Sequence, residues 1–334
     1  MKFLGAFLAA TIGLCFLYVG GSILLDPRAD WGTGLMPPLV LESRKAKMIL
    51  FPKYQAERPI AGLLLGSSRS FKFRPRDLES ATGLRFFNFS VGGANTEDYL
   101  AIYRWVRRRG VLPRLLIIGH DPTTLHDQDQ LHQGLRQNPM LQLELEGDPG
   151  LLNRLAVYKD IFTVAYARDL LRSLRLAFGS RPEPRYAFDP DGFIREPAID
   201  RDRQGGTFDV ERMVDGCIAE TVGSFGMTRL SEQRKGYLEQ LVEEAAADGA
   251  EIAILLTTNY HPRVETELVK AKPYRELLIQ TRRHVESLRE RFGAQVLDFT
   301  DLGSYGGDPQ GWIDCTHIDE GKAARIVKKL ASRR

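Results

Sequence analysis

Ala61-Gly62-Leu63-Leu64-Leu65-Gly66-Ser67-Ser68-Arg69-Ser70 is the stretch on which the reading of this chain turns. Leu63 to Leu65 are a short apolar run of the kind that makes a buried strand. Gly66 ends the run, and a glycine lets the chain turn sharply at a strand end without a Cβ clash. A hydroxyl just beyond it is presented at the carboxyl edge of a sheet, where open α/β sheets keep their sites. Ser68 is therefore a candidate nucleophile. The competing reading makes Gly-Ser-Ser a helix start, serine being a favoured N-cap.

Working outward, the pattern alternates. Pro75 to Ala81 opens with a proline, which the first helical position tolerates, and predicts a short helix. Leu84 to Phe89 predicts a second strand. Thr96 to Arg109 predicts a helix capped by Thr96, with Tyr99, Leu100, Tyr103 and Val106 on one face. Leu115 to Ile118 is wholly apolar, as a strand covered on both faces of a parallel sheet should be. This β-α-β-α-β order is the signature of a parallel, doubly wound sheet. Asp121 to about Arg229 breaks the alternation. Leu151 to Phe178 is amphipathic and mainly helical, and Arg168, Arg172 and Arg175 on it leave open a solvated face or a membrane surface. Asp189-Pro190-Asp191-Gly192 is a turn signal. Helices over 232–248, 272–291 and 321–331 and strands over 251–256 and 296–299 complete an α/β chain of about five parallel strands.

Phe3 to Leu25 is apolar or small throughout and uncharged. Its length suits a hydrocarbon core of about 30 Å and exceeds the apolar core of a cleaved signal. Lys2 and the amino terminus precede it, while Asp26, Arg28 and Asp30 nearly cancel. The charge bias puts the N-terminus in the cytoplasm and the rest outside. The expected organisation is an anchor or signal over 1–26 and a linker over 27–59, within which 39–51 could hold a short helix. An α/β domain over 60–122 and 230–334 follows, with a mainly helical insertion over 123–229 that carries a Pro/Gly/Asp-rich loop.

The net charge of +3 on 334 residues does not argue for nucleic acid. Three cysteines make no disulfide framework, although Cys217 and Cys315 could pair in an oxidising compartment. No His/Cys spacing suits zinc, so neither metal nor cofactor is expected.

Near the C-terminus stands Trp312-Ile313-Asp314-Cys315-Thr316-His317. An Asp and a His three apart in a loop can share one side of a turn. The carboxylate then holds the imidazole in the tautomer that accepts a serine proton. A serine hydroxyl needs such a base. The bland alternative is a hydrogen-bonded loop with Asp319 capping the last helix. Asn88-Phe89-Ser90-Val91-Gly92-Gly93-Ala94-Asn95 follows the second strand, and a glycine N–H there makes a good oxyanion donor. His120 sits at a strand end that could face the crevice. His261 could rim it or belong to an ordinary turn. His126, His132 and His284 are expected on the surface.

In order, spacing and strand context, Gly66-Ser67-Ser68, Asn88…Gly93 and Asp314-x-x-His317 resemble the SGNH (GDSL-like) hydrolases. The resemblance covers roughly 60–121 and 232–334. The anchor, the Gly-Ser-Ser-Arg form and the insertion are similar to a membrane-anchored, envelope-facing branch that includes D-alanyl transfer and alginate O-acetylation factors. The resemblance implies a three-layer, flavodoxin-like arrangement of the sheet. Ser68 would be the nucleophile, with its own N–H and that of Gly93 as the oxyanion hole. His317 would be base and then acid, and Asp314 would orient it. Ser67 stands where the family has Asp. Asp121, in Gly119-His120-Asp121-Pro122, falls where the family places an oxyanion Asn, and a carboxylate there would repel an oxyanion. Either Asn95 or Asn259 substitutes or activity is low, and Asp121 could instead bind a cationic or hydroxylated substrate.

The expected function is an extracytoplasmic serine esterase or O-acyltransferase acting on an acylated envelope glycan or polysaccharide. Its partners would be the membrane, a carbohydrate or other acyl acceptor, and a membrane acyltransferase or polysaccharide synthase. The alternative is a degenerate, glycan-binding or scaffolding relative in a polysaccharide assembly.

Overall fold

The computed structural model of the protein describes residues 2–30, 33, 38–39, 42–127, 130–146, 161–179, 183–257, 260–305 and 311–332. The elements are α1 (Lys2–Leu25), α2 (Ser43–Glu57), β1 (Gly62–Gly66), α3 (Pro75–Thr82), β2 (Phe86–Asn88), α4 (Thr96–Arg107) and β3 (Leu115–His120). The middle of the chain holds α5 (Gln133–Arg136), α6 (Pro139–Glu146), α7 (Val164–Ala177), β4 (Ala187–Phe188), β5 (Ile194–Arg195), α8 (Pro197–Gln204) and α9 (Val210–Ser224). Then come α10 (Glu232–Ala247), β6 (Glu251–Leu256), α11 (Pro262–Ala271), α12 (Tyr274–Phe292), β7 (Gln295–Asp298) and α13 (Glu320–Ala331).

Five strands form one parallel sheet in the order β2-β1-β3-β6-β7. Leu63, Leu64, Leu65, Leu116, Ile117 and Ile118 are all buried, as central strands covered on both faces must be. The order reverses between β1 and β3, and ligands of such sheets bind at the carboxyl ends beside that switch point. Ser67, Ser68 and Asp121 all lie there, directly beyond Gly66 and His120. On one sheet face Leu64, Leu115, Ile117, Leu255 and Leu297 form a core with Leu78 of α3 and Ile326, Val327 and Leu330 of α13. Elsewhere α4 packs on α10, which in turn contacts β6 and α12.

Local chemistry explains the element ends. Pro75 opens α3, and Gly83 at φ 72° closes it, a conformation that favours glycine. The N-cap of α4 is Asn95, not Thr96: the Asn95 N–H donates to Asp98 at 3.1 Å, while the Thr96 hydroxyl donates to the Arg234 carbonyl at 2.7 Å. The Asp189–Gly192 turn joins the two antiparallel strands β4 and β5, and its Asp191 carbonyl accepts the Asn88 N–H.

Two compact units emerge, Met1–Ile49 with Asp148–Glu183, and Leu50–Gly147 with Pro184–Arg334. Their boundaries differ from the expected ones. The stretch 148–183 groups with the N-terminal segment, while the rest of the expected insertion belongs to the α/β unit. Within the expected linker, α2 runs on to Glu57 through Pro52. An internal proline costs a helix about 3 kcal/mol, and tertiary packing overrides it: Phe51 is buried among the rings of Phe87, Phe89 and Trp105. The Asn259 position and the whole of 147–160, the first part of the expected helical stretch, lie outside the described residues.

Candidate active site

The loop between β7 and α13 is pinned at both ends. Trp312 and Ile318 bridge as an antiparallel pair and are both buried, and the Ile313 N–H donates to the His317 carbonyl at 2.8 Å. Burial of an isoleucine side chain is worth roughly 1.5–3 kcal/mol, enough to hold so short a turn. Asp319 caps α13 by accepting the Lys322 N–H at 2.9 Å. Between these anchors the Asp314 carboxylate accepts the Thr316 and His317 N–H groups, each at 2.8 Å. Its oxygens lie 2.8 and 2.9 Å from His317 Nδ1. Burial alone would raise the Asp314 carboxyl, but the His317 hydrogen bond, its charge and the two backbone N–H groups outweigh it. They hold Asp314 well below the usual carboxylate range.

At the other end of the chain, Ser67 caps a 3-10 turn over Ser68–Ser70 by accepting the Arg69 N–H at 3.3 Å. The capping role therefore falls to Ser67 and leaves the next hydroxyl available. Ser68 Oγ lies 2.9 Å from His317 Nε2 across 249 residues of sequence. With Nδ1–H donated to Asp314, Nε2 is the acceptor that a serine proton requires. Such a chain can take a proton from Ser68 and stabilise the imidazolium that results.

The hydroxyl opens into a cavity of about 430 Å³, whose walls include Arg69, Gly93, Asn95, Asp121, His126 and His132. Gly93 has φ 60°, and a side chain there would run into the His132 ring. Glycine thus lets the backbone N–H approach the cavity closely. Among the described residues neither the Ser68 nor the Gly93 N–H is engaged by another group, so both can serve a developing oxyanion.

Asp121 is buried at the same edge but is surrounded by donors. The Ser67 hydroxyl donates to it at 2.7 Å, the Thr123 hydroxyl donates to its other oxygen, and the Arg69 guanidinium stands 3.7 Å away. Arg69 also lies over the Tyr260 ring at 4.6 Å. Burial would lower the Arg69 guanidinium, but Asp121 and Tyr260 outweigh it and raise it. The carboxylate is matched rather than bare, by the Ser67 and Thr123 hydroxyls and by the Arg69 guanidinium. Asn95 lines the cavity, its amide nitrogen 3.3 Å from Glu97.

The histidines are distributed differently from expectation. His120 does not line the cavity: its position on β3 turns it inward, fully buried, with Nδ1 3.0 Å from the Thr124 hydroxyl. His126 and His132, expected on the surface, both line the cavity. Arg234 forms a buried pair with Glu97 at 3.0 Å and reaches the His126 ring at 2.8 Å and the Gln130 carbonyl at 3.2 Å, while His126 also bridges Leu230. These contacts fold a polar loop, which would otherwise read as solvated, over the site. His284 is buried on α12, with Glu239 at 3.9 Å. His261 caps α11 and packs against Trp312, with ring centroids 5.6 Å apart. Among the described residues no group of three or more His, Cys, Asp or Glu side chains is placed to hold a metal ion.

Burial pushes the His120 imidazole down to about 4, and burial with the Arg234 charge does the same for His126. Both are neutral at pH 7, whereas an unfolded histidine protonates near pH 6.5. Between these values the unfolded chain holds more protons, so stability is present above about pH 6.5 and is lost as the pH falls towards 4. For the sealed His120 the loss is about 3 kcal/mol. Urea midpoints at pH 7 and pH 4.5 should therefore differ less in His120→Asn than in the wild type; equal differences would contradict this.

No protein-family model matches the chain, and no curated protein matches its sequence.

Proposed function

We propose that this chain is a membrane-anchored, extracytoplasmic serine esterase or O-acyltransferase of the SGNH (GDSL-like) type, its sheet sandwiched in three layers. The observation that carries the reading is the continuous hydrogen-bonded line from Ser68 Oγ through His317 to Asp314 at the carboxyl edge of the sheet. Supporting it are the Ser68 and Gly93 N–H groups on one cavity, which no other group among the described residues engages. An apolar helix of 23 residues near the N-terminus is long enough to span a membrane. The Cys217–Cys315 disulfide, with Cα atoms 6.1 Å apart, favours an oxidising side.

In this reading Ser68 Oγ adds to the acyl carbonyl of an ester while its proton passes to His317 Nε2. The oxyanion is held by the Ser68 and Gly93 N–H groups, and Asp314 stabilises the imidazolium. The C–O bond to the leaving alcohol then breaks, and His317 returns the proton to that alcohol. Water or an acceptor hydroxyl next attacks acyl-Ser68 by the same route in reverse. A fluorophosphonate should label the wild type and leave Ser68→Ala unlabelled. Labelling retained by the alanine variant would place the nucleophile elsewhere.

The natural acyl acceptor we propose is a carbohydrate hydroxyl of the cell envelope, with a membrane acyltransferase or polysaccharide synthase as partner. A second cavity of about 350 Å³ shares Thr123, His126 and Thr316 with the first, and is walled by Glu220, Ser224, Phe225 and Tyr260. Aromatic faces beside hydroxyl and carboxylate groups suit a sugar chain. Ser224→Trp is expected to slow transfer to an oligosaccharide acceptor at least tenfold while leaving p-nitrophenyl acetate hydrolysis within about twofold, since a blocked subsite removes remote binding only. Equal loss on both substrates would remove this cavity from the acceptor path. The alternative, a catalytically degenerate glycan-binding or scaffold protein, rests on Asp121 and on the large insertion; the donors and the cation around Asp121 weigh against the first of these grounds.

A further inference from the structure

We infer that α7 is a membrane-interface helix, seated on anionic phospholipid headgroups beside the point where α1 leaves the bilayer. The inference rests on the proposal that α1 is a membrane span.

The outward face of α7 is divided lengthwise. Val164, Leu171, Leu174 and Phe178 are exposed by 78, 61, 43 and 89%. Their spacing of seven, three and four residues puts them on one helical stripe. Phe162, just before the helix, adds another ring that is 68% exposed. Arg168, Arg172 and Arg175, also exposed, run alongside that stripe. The inward face carries buried Tyr166 and Ser173. In water an apolar stripe of this size is unfavourable, and apolar and cationic strips side by side are the signature of a helix lying in a lipid interface.

The contacts with α1 set the depth. Residues 3–17 of α1 are exposed throughout. At 1.5 Å per residue they cover about 22 Å, short of the ~30 Å hydrocarbon core. The remainder of the span must come from residues just after Leu17, where α1 meets the start of α7. The Tyr18 hydroxyl donates to the Ile161 carbonyl, and the Tyr18 and Phe162 rings lie 6.2 Å apart. Beyond the helix end, Arg28 pairs with Asp169 at 2.7 Å and lies over the Tyr166 ring at 5.1 Å. A span that fills the core therefore carries Phe162 to the boundary between acyl chains and headgroups, and α7 with it. At that depth the apolar stripe meets acyl chains and the three arginines meet phosphates. Anionic headgroups are the complementary partner.

The test uses the full chain in vesicles. In a Cys15→Ser background, which removes the free cysteine, an environment-sensitive fluorophore is attached in turn to Phe7→Cys, Leu171→Cys and Phe178→Cys. The vesicles contain phosphatidylethanolamine and phosphatidylglycerol with brominated acyl chains as quencher. Labels at 7, 171 and 178 are expected to be quenched. Replacing phosphatidylglycerol with phosphatidylcholine, or making Arg168→Glu, Arg172→Glu and Arg175→Glu together, should cut quenching at 171 and 178 several-fold and leave position 7 unchanged. Quenching at 7 without quenching at 171 and 178 would overturn the inference and leave the anchor intact. Absence of quenching at 7 would overturn the anchor, and the inference with it. Disulfide cross-linking of Leu171→Cys chains to one another, without lipid quenching, would also overturn it and assign the stripe to a second copy.

Discussion

His317→Ala is expected to lower ester turnover by a factor on the order of 10⁴–10⁶, and Ser68→Ala by a similar factor. The double variant should be no slower than either single one. Residues that act on one proton fail together, because a hydroxyl without its base is no better than no hydroxyl. Ser68 and His317 share one hydrogen bond at 2.9 Å, through which that proton would pass. Both side chains sit at the cavity wall and not in the core, so melting temperatures should move by only a few degrees. Rates measured on p-nitrophenyl acetate with all three variants check this. If the losses multiply in the double variant, the two residues act independently and the shared proton is not the mechanism.

The second large effect concerns Asp121. Its side chain is 3% exposed and that of Arg69 10% exposed, so each charge relies on the other more than on water. Removing one member of a buried pair costs about 3–5 kcal/mol, because the survivor keeps its desolvation penalty. Arg69→Met should lower stability by about that amount. It should also lower turnover by roughly 100-fold, comparable with losing an oxyanion donor, because an unmatched carboxylate then faces the developing oxyanion. Arg69→Met combined with Asp121→Asn should recover most of both losses. A double-mutant cycle on urea midpoints and on turnover reads the coupling directly. Additive losses would mean that Asp121 is matched by Ser67 and Thr123 alone and that Arg69 serves another purpose.

The sheet was legible because its strands are short apolar runs spaced by helical patterns, and such alternation admits few topologies. Leu63–Leu65, Leu115–Ile118 and 251–256 announce themselves in this way. The approach of Ser68 to His317 was legible for the same reason: both follow strands of one parallel sheet, and parallel strands send their carboxyl ends to one edge. What stayed hidden depends on contacts between distant residues. The compensation of Asp121 joins the ends of β1 and β3 and leaves no periodic trace. His126 and His132 stand in a loop as polar as any solvated one, and contacts from distant residues, the buried Arg234–Glu97 pair and the His126–Leu230 bridge among them, bring them to the cavity. The signal that could have found them is Arg234 itself, a cation on the buried face of α10. His120 is an in-strand residue whose direction follows from register, which a single strand does not reveal. The cap at Asn95 was one residue from the expected Thr96, since both residue types cap well and the choice rests on Asp98 three places after Asn95. The helix through Pro52 ran against a local preference that the aromatic cluster around Phe51 outweighs.

The central claim is a covalent acyl-enzyme on one hydroxyl. The most direct measurement is mass spectrometry of the full chain, mixed briefly with p-nitrophenyl acetate, quenched in acid and digested. One acetyl group on the peptide containing Ser68, absent from Ser68→Ala and discharged by water or added oligosaccharide, is the predicted result. An unmodified Ser68 peptide under conditions in which p-nitrophenol is released, or an acetyl group carried by a different residue, would contradict it.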